Sequence, residues 1–131
     1  MSDVSDDRRA QIKDDPYCGL LGIELTTLEP GLAETELEIT DAHRNFHGIP
    51  HGGATYSLAD AAFAAASNAE GTDAFALETN ISYLEAVDVG ATLIARAERT
   101  HERGRTGEYE VVVSTAAGDR IATFRGRVYK V

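Results

Sequence analysis

The stretch HGIPHGGATYSLADAAFAAASN, residues 47–68, contains the one long helical candidate of the chain. Two adjacent glycines, Gly52 and Gly53, open this helix, and Gly71 closes it. Its sides consist mostly of alanine, leucine and phenylalanine, so nearly its whole circumference has to be covered by other parts of the fold. Asp60 is the single carboxylate in this apolar run, and its presence there requires an explanation.

The segments around the helix have the composition of β-strands. Residues 22–40 form two extended runs on either side of a Pro-Gly turn, which predicts a hairpin. After the helix, runs rich in Val, Ile, Thr, Tyr and Phe cover residues 74–86, 92–103, 107–116 and 120–131. Because the breaks between them are too short for crossover helices, we expect antiparallel pairing. The predicted fold is α+β: one long central helix, thin because of its alanines, wrapped by a curved, mainly antiparallel six-stranded sheet.

Length and charge limit the number of domains and the kinds of partner. The 131 residues suffice for one domain with its own core, and we predict a single domain spanning residues 1–131. Residues 1–15 are charged and are expected to form a short helix or extension that Pro16 ends. A formal net charge of −10 disfavours nucleic acid and anionic membranes as partners and favours small molecules or copies of the chain. Lysine is scarce while carboxylates abound, a composition that suits a salt-rich, halophilic cytosol.

Cysteine and histidine usage argues against disulfides and metals. Cys18 is the only cysteine, so the chain has no internal disulfide framework, which suits a reducing compartment. No segment has the apolar length of a signal peptide core or a membrane helix, and we expect a cytoplasmic protein. His43, His47 and His51 recur every four residues, but the glycine and proline between them disfavour a helix, so we predict no metal site.

The residues around this helix carry a family resemblance. Asn45, Gly48 and His51-Gly52-Gly53, followed by SLAD at residues 57–60, resemble the signature of hotdog-fold acyl-CoA thioesterases, in particular the PaaI-like branch of phenylacetate degradation. The resemblance continues through residues 80–83, 103–107 and 122–127 and covers roughly residues 45–131. It implies hydrolysis of small to medium acyl- or aryl-CoA thioesters, including the phenylacetyl type. Coenzyme A is then part of the substrate, and no cofactor is needed.

The resemblance implies Gly52 as the oxyanion donor and places Asn45 in the same site. Backbone N–H groups at a helix start lack intrahelical partners and carry the positive end of the helix dipole, which suits an oxygen that gains negative charge. Asp60 is the candidate general base or nucleophile, because no Ser-His or Cys-His pair is evident. At about 1.5 Å rise per residue, eight residues separate Gly52 from Asp60 by roughly 12 Å, whereas reacting atoms must approach to about 3–3.5 Å. We therefore predict a homodimer with composite sites, as in the family.

The resemblance also implies substrate contacts away from the helix axis. Ala76 stands where some relatives carry a serine or threonine that orients the water, so Thr79 and Asn80 are candidate substitutes. Arginines in the turn of residues 103–106 supply positive charge for the phosphates of coenzyme A, although a solvated hairpin tip is the alternative explanation. The implied substrate-binding residues are His51, Gly53, Thr79, Tyr83, Arg103, Gly104, Arg105 and Thr106.

Simpler explanations and other functions remain open. Asp60 could face solvent or pair with an arginine, Gly52-Gly53 could be a plain turn, and Asn45 could merely brace its loop. The rival functions are a hotdog hydratase or dehydratase and a non-catalytic acyl-CoA-binding module. A further expectation is a dimer of dimers, as in the family, suggested by Leu93, Val111, Val113 and Ile121 on the outer face of the sheet; the sequence leaves open which faces meet.

Overall fold

The computed structural model describes residues 3–131 and contains one long helix and one six-stranded sheet. The sheet is antiparallel throughout, in the order β1-β2-β4-β5-β6-β3. The predicted hotdog architecture is confirmed. The elements are α1 (Asp6–Lys13), α2 (Pro16–Leu21), β1 (Glu24–Glu29), β2 (Leu32–Glu38), a 3₁₀ turn (Asp41–His43), α3 (Gly52–Asn68), β3 (Ala74–Tyr83), β4 (Thr92–Arg103), β5 (Thr106–Thr115) and β6 (Arg120–Lys130).

The inner face of the sheet packs closely on α3. The alanines of the helix are mostly buried, and they let the strands approach its backbone. Phe63 is the largest helix side chain in the core. The centre of its ring lies within 5.7 Å of the ring centres of Tyr109 and Phe124. The same ring lies on the backbone of Gly126, where an added Cβ would come within 2.5 Å of it. A side chain at position 126 therefore does not fit without moving the helix.

One side of α3 is left uncovered by the sheet of its own chain. The partly exposed positions recur at about one per turn, as expected for a single face of a helix. We call this face the open stripe; it consists of Gly53, Ser57, Asp60, Ala64 and Asn68. Asp60 thus faces away from the core formed by its own chain. The side chains of the open stripe are small enough for a second helix to approach closely.

Strand β3 forms an edge of the sheet. Its ten residues pair with β6 on one side, and within residues 3–131 no strand pairs with its other side. Phe75 and Leu77 on this strand are 62% and 57% exposed. A long, apolar edge of this kind is available for pairing with another chain.

The N-terminal prediction is wrong in one respect. A helix does form within residues 1–15, as α1, and the first two residues of that range lie outside the described residues. Pro16, however, begins a second helix instead of merely ending the first. Asp15 caps α2 by accepting the N–H of Cys18 at 3.0 Å, and Gly22 ends α2 with φ +88°. Proline is favoured at the first helical position because the N–H it lacks has no partner there.

The prediction of an apolar outer sheet face is also wrong. Leu93, Val111, Val113 and Ile121 are at most 3% exposed and belong to the core. Successive strand residues alternate between the two faces of the sheet, so every second residue packs against α3 and its neighbours point outward. The outward side chains are largely charged, and they form the pairs Arg96–Glu34, Arg96–Glu98 and Arg125–Glu108. The expected association of dimers through those apolar residues therefore loses its basis.

No helix within residues 3–131 combines the length and the apolar character that crossing a bilayer requires.

Candidate active site

The loop before α3 is a small hairpin that presents Asn45. Arg44 and Pro50 form an antiparallel bridge, and the Asn45 N–H donates to the Ile49 carbonyl at 2.8 Å. The Asn45 Oδ1 accepts the N–H of His47 at 2.9 Å and the N–H of Ile49 at 3.4 Å. Its Nδ2 forms no hydrogen bond within the described chain. Asn45 therefore braces its loop with its oxygen and keeps an amide donor free for a substrate oxygen.

The two glycines at the start of α3 have different roles. His51 is the N-cap, and its Nδ1 accepts the N–H of Gly53 at 2.8 Å, so in the neutral ring the proton lies on Nε2. A Cβ at Gly53 would come within 2.9 Å of that same Nδ1. The N–H of Gly52 has no acceptor in the part of the chain that the structure describes, and Gly52 is exposed. Gly52 is thus the better placed of the two to donate to an oxyanion.

Tyr83 lies over this helix start. Its hydroxyl donates to the Gly52 carbonyl at 3.0 Å, and a Cβ at Gly52 would be 3.3 Å from the tyrosine ring. Burial, with a smaller contribution from Tyr56, raises the pKa of Tyr83, so the phenol keeps the proton that it donates. A Cβ at position 52 would therefore require the Tyr83 ring to shift by a few tenths of an ångström.

Asp60 is half-buried on the open stripe and forms no hydrogen bond within residues 3–131. Burial raises its pKa, and the negative charge of Asp15 on α2 raises it further. A carboxylate with a raised pKa is a stronger base at neutral pH than an exposed one. Burial and Asp15 also raise the pKa of nearby Cys18 to about 11, so that thiol stays protonated and is a poor nucleophile.

A cleft of about 530 Å³ lies between α2, the loop before α3 and the first turns of α3. Its wall includes Tyr17, Tyr56 and Tyr83. Tyr56 and Thr79 are joined by a hydrogen bond of 2.6 Å between their hydroxyls. The sequence reasoning did not single out Tyr56, although its position four residues before Asp60 places it on the same side of the helix.

His43 holds the wall of this cleft in place. Its Nε2 donates to the Leu21 carbonyl of α2 at 2.7 Å, while its Nδ1 accepts the Thr40 N–H at 2.9 Å. The imidazole is buried, and both of its nitrogens are used. His43 therefore ties α2 to the loop that carries Asn45, which is a structural role.

The strand residues proposed to orient water lie on opposite faces of β3. Thr79 pairs with Gly126 and faces α3, where its hydroxyl is bonded to Tyr56. Asn80 pairs with Arg125 and faces outward. Ala76 is exposed on the edge strand. Of the two candidates, only Thr79 is on the helix side of the sheet.

The turn with Arg103, Gly104, Arg105 and Thr106 lies far from Tyr83 within one chain. On β6, Ala122 pairs with Tyr83, and Tyr129 pairs with Thr106. These two positions are seven residues apart, which is about 23 Å along the strand. In the turn, the Thr106 hydroxyl donates to the Arg103 carbonyl at 3.1 Å, Arg105 donates to the Tyr129 hydroxyl at 3.1 Å, and Gly104 has φ +60°.

One chain therefore holds the candidate residues in separate places. Asn45, His51, Gly52, Gly53 and Tyr83 lie together at the start of α3. Asp60 lies at the middle of α3, and the 103–106 turn lies near the start of β3, at the end of the sheet where α3 ends.

Comparison with known proteins identifies the family. The thioesterase superfamily profile matches residues 47–122. The chain is 33% identical over 122 residues to the acyl-coenzyme A thioesterase PaaI of Escherichia coli. The alignment covers 93% of this chain and 87% of that protein. The solved structure of E. coli PaaI superposes with a TM-score of 0.89 at 32% identity, over 94% of this chain and 89% of the other.

Two further solved structures extend the comparison. The phenylacetic acid degradation protein PaaI from Thermus thermophilus, solved as a mutant, gives a TM-score of 0.85 at 38% identity, over 89% of this chain and all of that one (100%). A Streptococcus mutans protein solved with acetyl-CoA superposes with a TM-score of 0.78 at 25% identity. The match covers 83% of this chain and 88% of that one. The chain belongs to the thioesterase superfamily, in its PaaI-like branch, and is a thioester hydrolase.

Proposed function

We propose that the chain hydrolyses small to medium acyl- or aryl-CoA thioesters, including the phenylacetyl type, at sites shared by two subunits. The names of the E. coli and T. thermophilus relatives and the bound acetyl-CoA of the S. mutans protein support this substrate class. The tyrosine-lined cleft beside Gly52 supports it as well, since aromatic walls suit a small apolar or aryl acyl group.

The distance between Gly52 and Asp60 carries the proposal. The two residues are eight positions apart on one straight helix, about 12 Å by the helical rise, which is too far for both to act on one carbonyl. If the α3 helices of two subunits pack antiparallel along their open stripes, Asp60 of the partner subunit comes beside Gly52. The same two-fold arrangement lets the free edges of two β3 strands meet.

In this arrangement each group has a defined task. The Gly52 N–H and the Asn45 Nδ2 donate to the thioester oxygen and stabilise its negative charge when the carbonyl carbon becomes tetrahedral. Asp60 of the partner subunit either takes a proton from the attacking water or attacks the carbonyl carbon itself. The C–S bond then breaks, and coenzyme A leaves as its thiol. The acid is released directly where water attacks, and only after a water molecule hydrolyses the acyl-Asp60 anhydride where the carboxylate attacks. Whether Asp60 acts as base or as nucleophile, it has to lie beside Gly52 of the other subunit.

The 103–106 turn is proposed to bind the phosphates of coenzyme A. Arg103 and Arg105 are exposed arginines on a chain with a net charge of −10, and the turn lies near the start of β3, at the end of the sheet where α3 ends. In the antiparallel dimer it approaches the partner's helix start, on the path by which the nucleotide leaves the cleft.

Asp60→Asn tests the assignment of the acid. We expect kcat to fall by about 10²–10⁴-fold with the fold preserved, the usual loss on removal of a positioned base. Thiol release from a panel of acyl- and aryl-CoA esters, measured with DTNB, reports the reaction. Unchanged turnover in the variant would remove Asp60 from the mechanism.

The same panel separates the rival functions. A hydratase or dehydratase would change enoyl- or hydroxyacyl-CoA without releasing thiol, and α3 has no histidine beside Asp60 to assist such chemistry. A binding module would give calorimetric binding without any turnover.

A further inference from the structure

We propose that the Phe46 tip of each subunit docks into a groove of the partner subunit, between its N-terminal helices and the C-terminal half of its α3. This inference rests on the two-subunit site proposed above. It adds a contact surface that positions Asn45 and Gly52 against the partner's acid.

The docking element is the tip of the hairpin before α3. Phe46 is 92% exposed, and its ring stacks on His47 with the ring centres 4.1 Å apart. The neighbouring Ile49 is 58% exposed. Arg44, two residues before Phe46, is half-exposed, and within residues 3–131 its one ion pair is with the more exposed Asp41, at 3.6 Å. The tip therefore presents apolar surface flanked by positive charge, in a hairpin held rigid by the hydrogen bonds of Asn45.

The receiving groove has a volume of about 470 Å³. Its floor is apolar and is formed by Ile12, Pro16, Ala64, Ala65 and Phe75. Its rim is acidic.

Three aspartates form that rim. Asp73 is paired with Arg8 at 2.8 Å. Asp14 and Asp15 form no ion pair within residues 3–131, although both line the groove. Asp15 caps α2, so the rim offers to the positive charge beside Phe46 one carboxylate, that of Asp14, which has neither an ion pair nor a hydrogen bond within residues 3–131.

The register of the antiparallel helices brings tip and groove together. Placing Gly52 beside Asp60 of the partner subunit puts the two-fold axis near Tyr56. Residues that precede Gly52 then run past Asp60 toward the end of the partner's α3. Phe46 belongs to the hairpin that precedes Gly52, so in this register it lies beyond the start of α3, on the side of the last two turns of the partner's helix. Those turns contain Ala64, Ala65 and Asn68, which line the groove.

This contact gives the N-terminal extension a role. α1 and α2 leave Ala64 of α3 exposed in a single subunit. They stand beside it and form a wall. The Phe46 ring of the partner subunit packs between α3 and this wall, so α1 and α2 contact the second subunit.

Phe46→Ala tests the contact. Two phenyl rings leave the interface in this variant, so we expect the dissociation constant of the dimer to rise by about 10²–10³-fold, as measured by sedimentation. Specific activity should fall at low protein concentration and recover at high concentration, which shows that the subunits still fold. The matched control is Leu20→Ala, because Leu20 is 81% exposed but lines neither the groove nor the cleft. Its dimer should match the wild type.

A charge exchange gives an independent measurement. Arg44→Glu should weaken the dimer, and adding Asp14→Arg in the same chain should restore at least part of the lost affinity, because the pair is then reversed across the interface. Asp14 is preferable to Asp15, whose carboxylate caps α2.

The outcomes separate this inference from the proposed function. Wild-type dimer affinity in Phe46→Ala, alongside loss of activity in Asp60→Asn, would overturn the docking but leave the shared site. A raised KM with unchanged dimer affinity would show that Phe46 contacts substrate instead, and would equally overturn it. A fully active wild-type monomer would overturn both.

Discussion

Mixing two inactive variants distinguishes a shared site from one built within a single chain. Asp60→Asn removes the acid. Gly52→Val places a side chain where a Cβ already comes within 3.3 Å of the Tyr83 ring and blocks approach to the Gly52 N–H. Each variant should form a dimer in which both sites carry one defect, so each should be nearly inactive by itself.

The mixture has a calculable activity. Equal amounts of the two variants, exchanged to equilibrium, give about half heterodimers by random association. In each heterodimer one site receives both defects and the other receives neither. One intact site in half of the dimers amounts to about a quarter of the wild-type specific activity. If Gly52 and Asp60 of the same chain formed the site, every chain would carry a defect and the mixture would stay inactive.

The assay combines thiol release with a count of heterodimers. The variants are mixed at low concentration to allow exchange, concentrated, and followed with DTNB, while native mass spectrometry of one isotope-labelled variant gives the heterodimer fraction. Activity should rise in proportion to that fraction. Abundant heterodimers without recovered activity would refute the shared site.

Three further predictions concern pH, packing and salt. Burial raises the pKa of Asp60, so the folded chain holds this proton more tightly than the unfolded chain. The stability that the proton contributes is complete at low pH and is lost as the pH rises through the raised pKa; Asp60→Asn should therefore have the higher Tm at pH 7, with the difference shrinking in acid. Gly126→Ala should lower the free energy of unfolding in urea by about 1–3 kcal/mol, because its Cβ overlaps the Phe63 ring, whereas Gly19→Ala in open space should cost nothing. Raising KCl from about 0.1 to 1 M shortens the screening length from about 10 to 3 Å and should raise the Tm of a chain with a net charge of −10, whereas an unchanged Tm would count against the halophilic interpretation.

The sequence predicts most of the architecture because strand and helix periods are local properties. The alternation over β2, the short turns after α3 and the glycines at both ends of that helix each depend on neighbouring residues alone. The bounds of β4, for example, coincide with the predicted run of residues 92–103. The face that each strand residue occupies depends instead on what packs against the sheet, and this is why Val111 and Val113 were placed on the wrong side.

The site is predictable to a smaller extent, because its details depend on side-chain contacts. The distance argument for Asp60 needs only the helical rise. The choice of Gly52 over Gly53 depends on the His51 imidazole accepting one particular N–H. The close contact at position 52 depends on Tyr83, which lies 31 residues further along the chain. Neither contact leaves a mark in local composition.

The free edge of β3 has a consequence for the life of the protein after synthesis. The outer edge of this ten-residue strand, which includes Phe75 and Leu77, can pair with an extended segment of another chain. In the proposed dimer the partner subunit's β3 covers this edge, and a subunit that stays alone can seed aggregates. Expression level and co-translational encounter would then decide between usable enzyme and insoluble protein, independently of any residue that touches substrate.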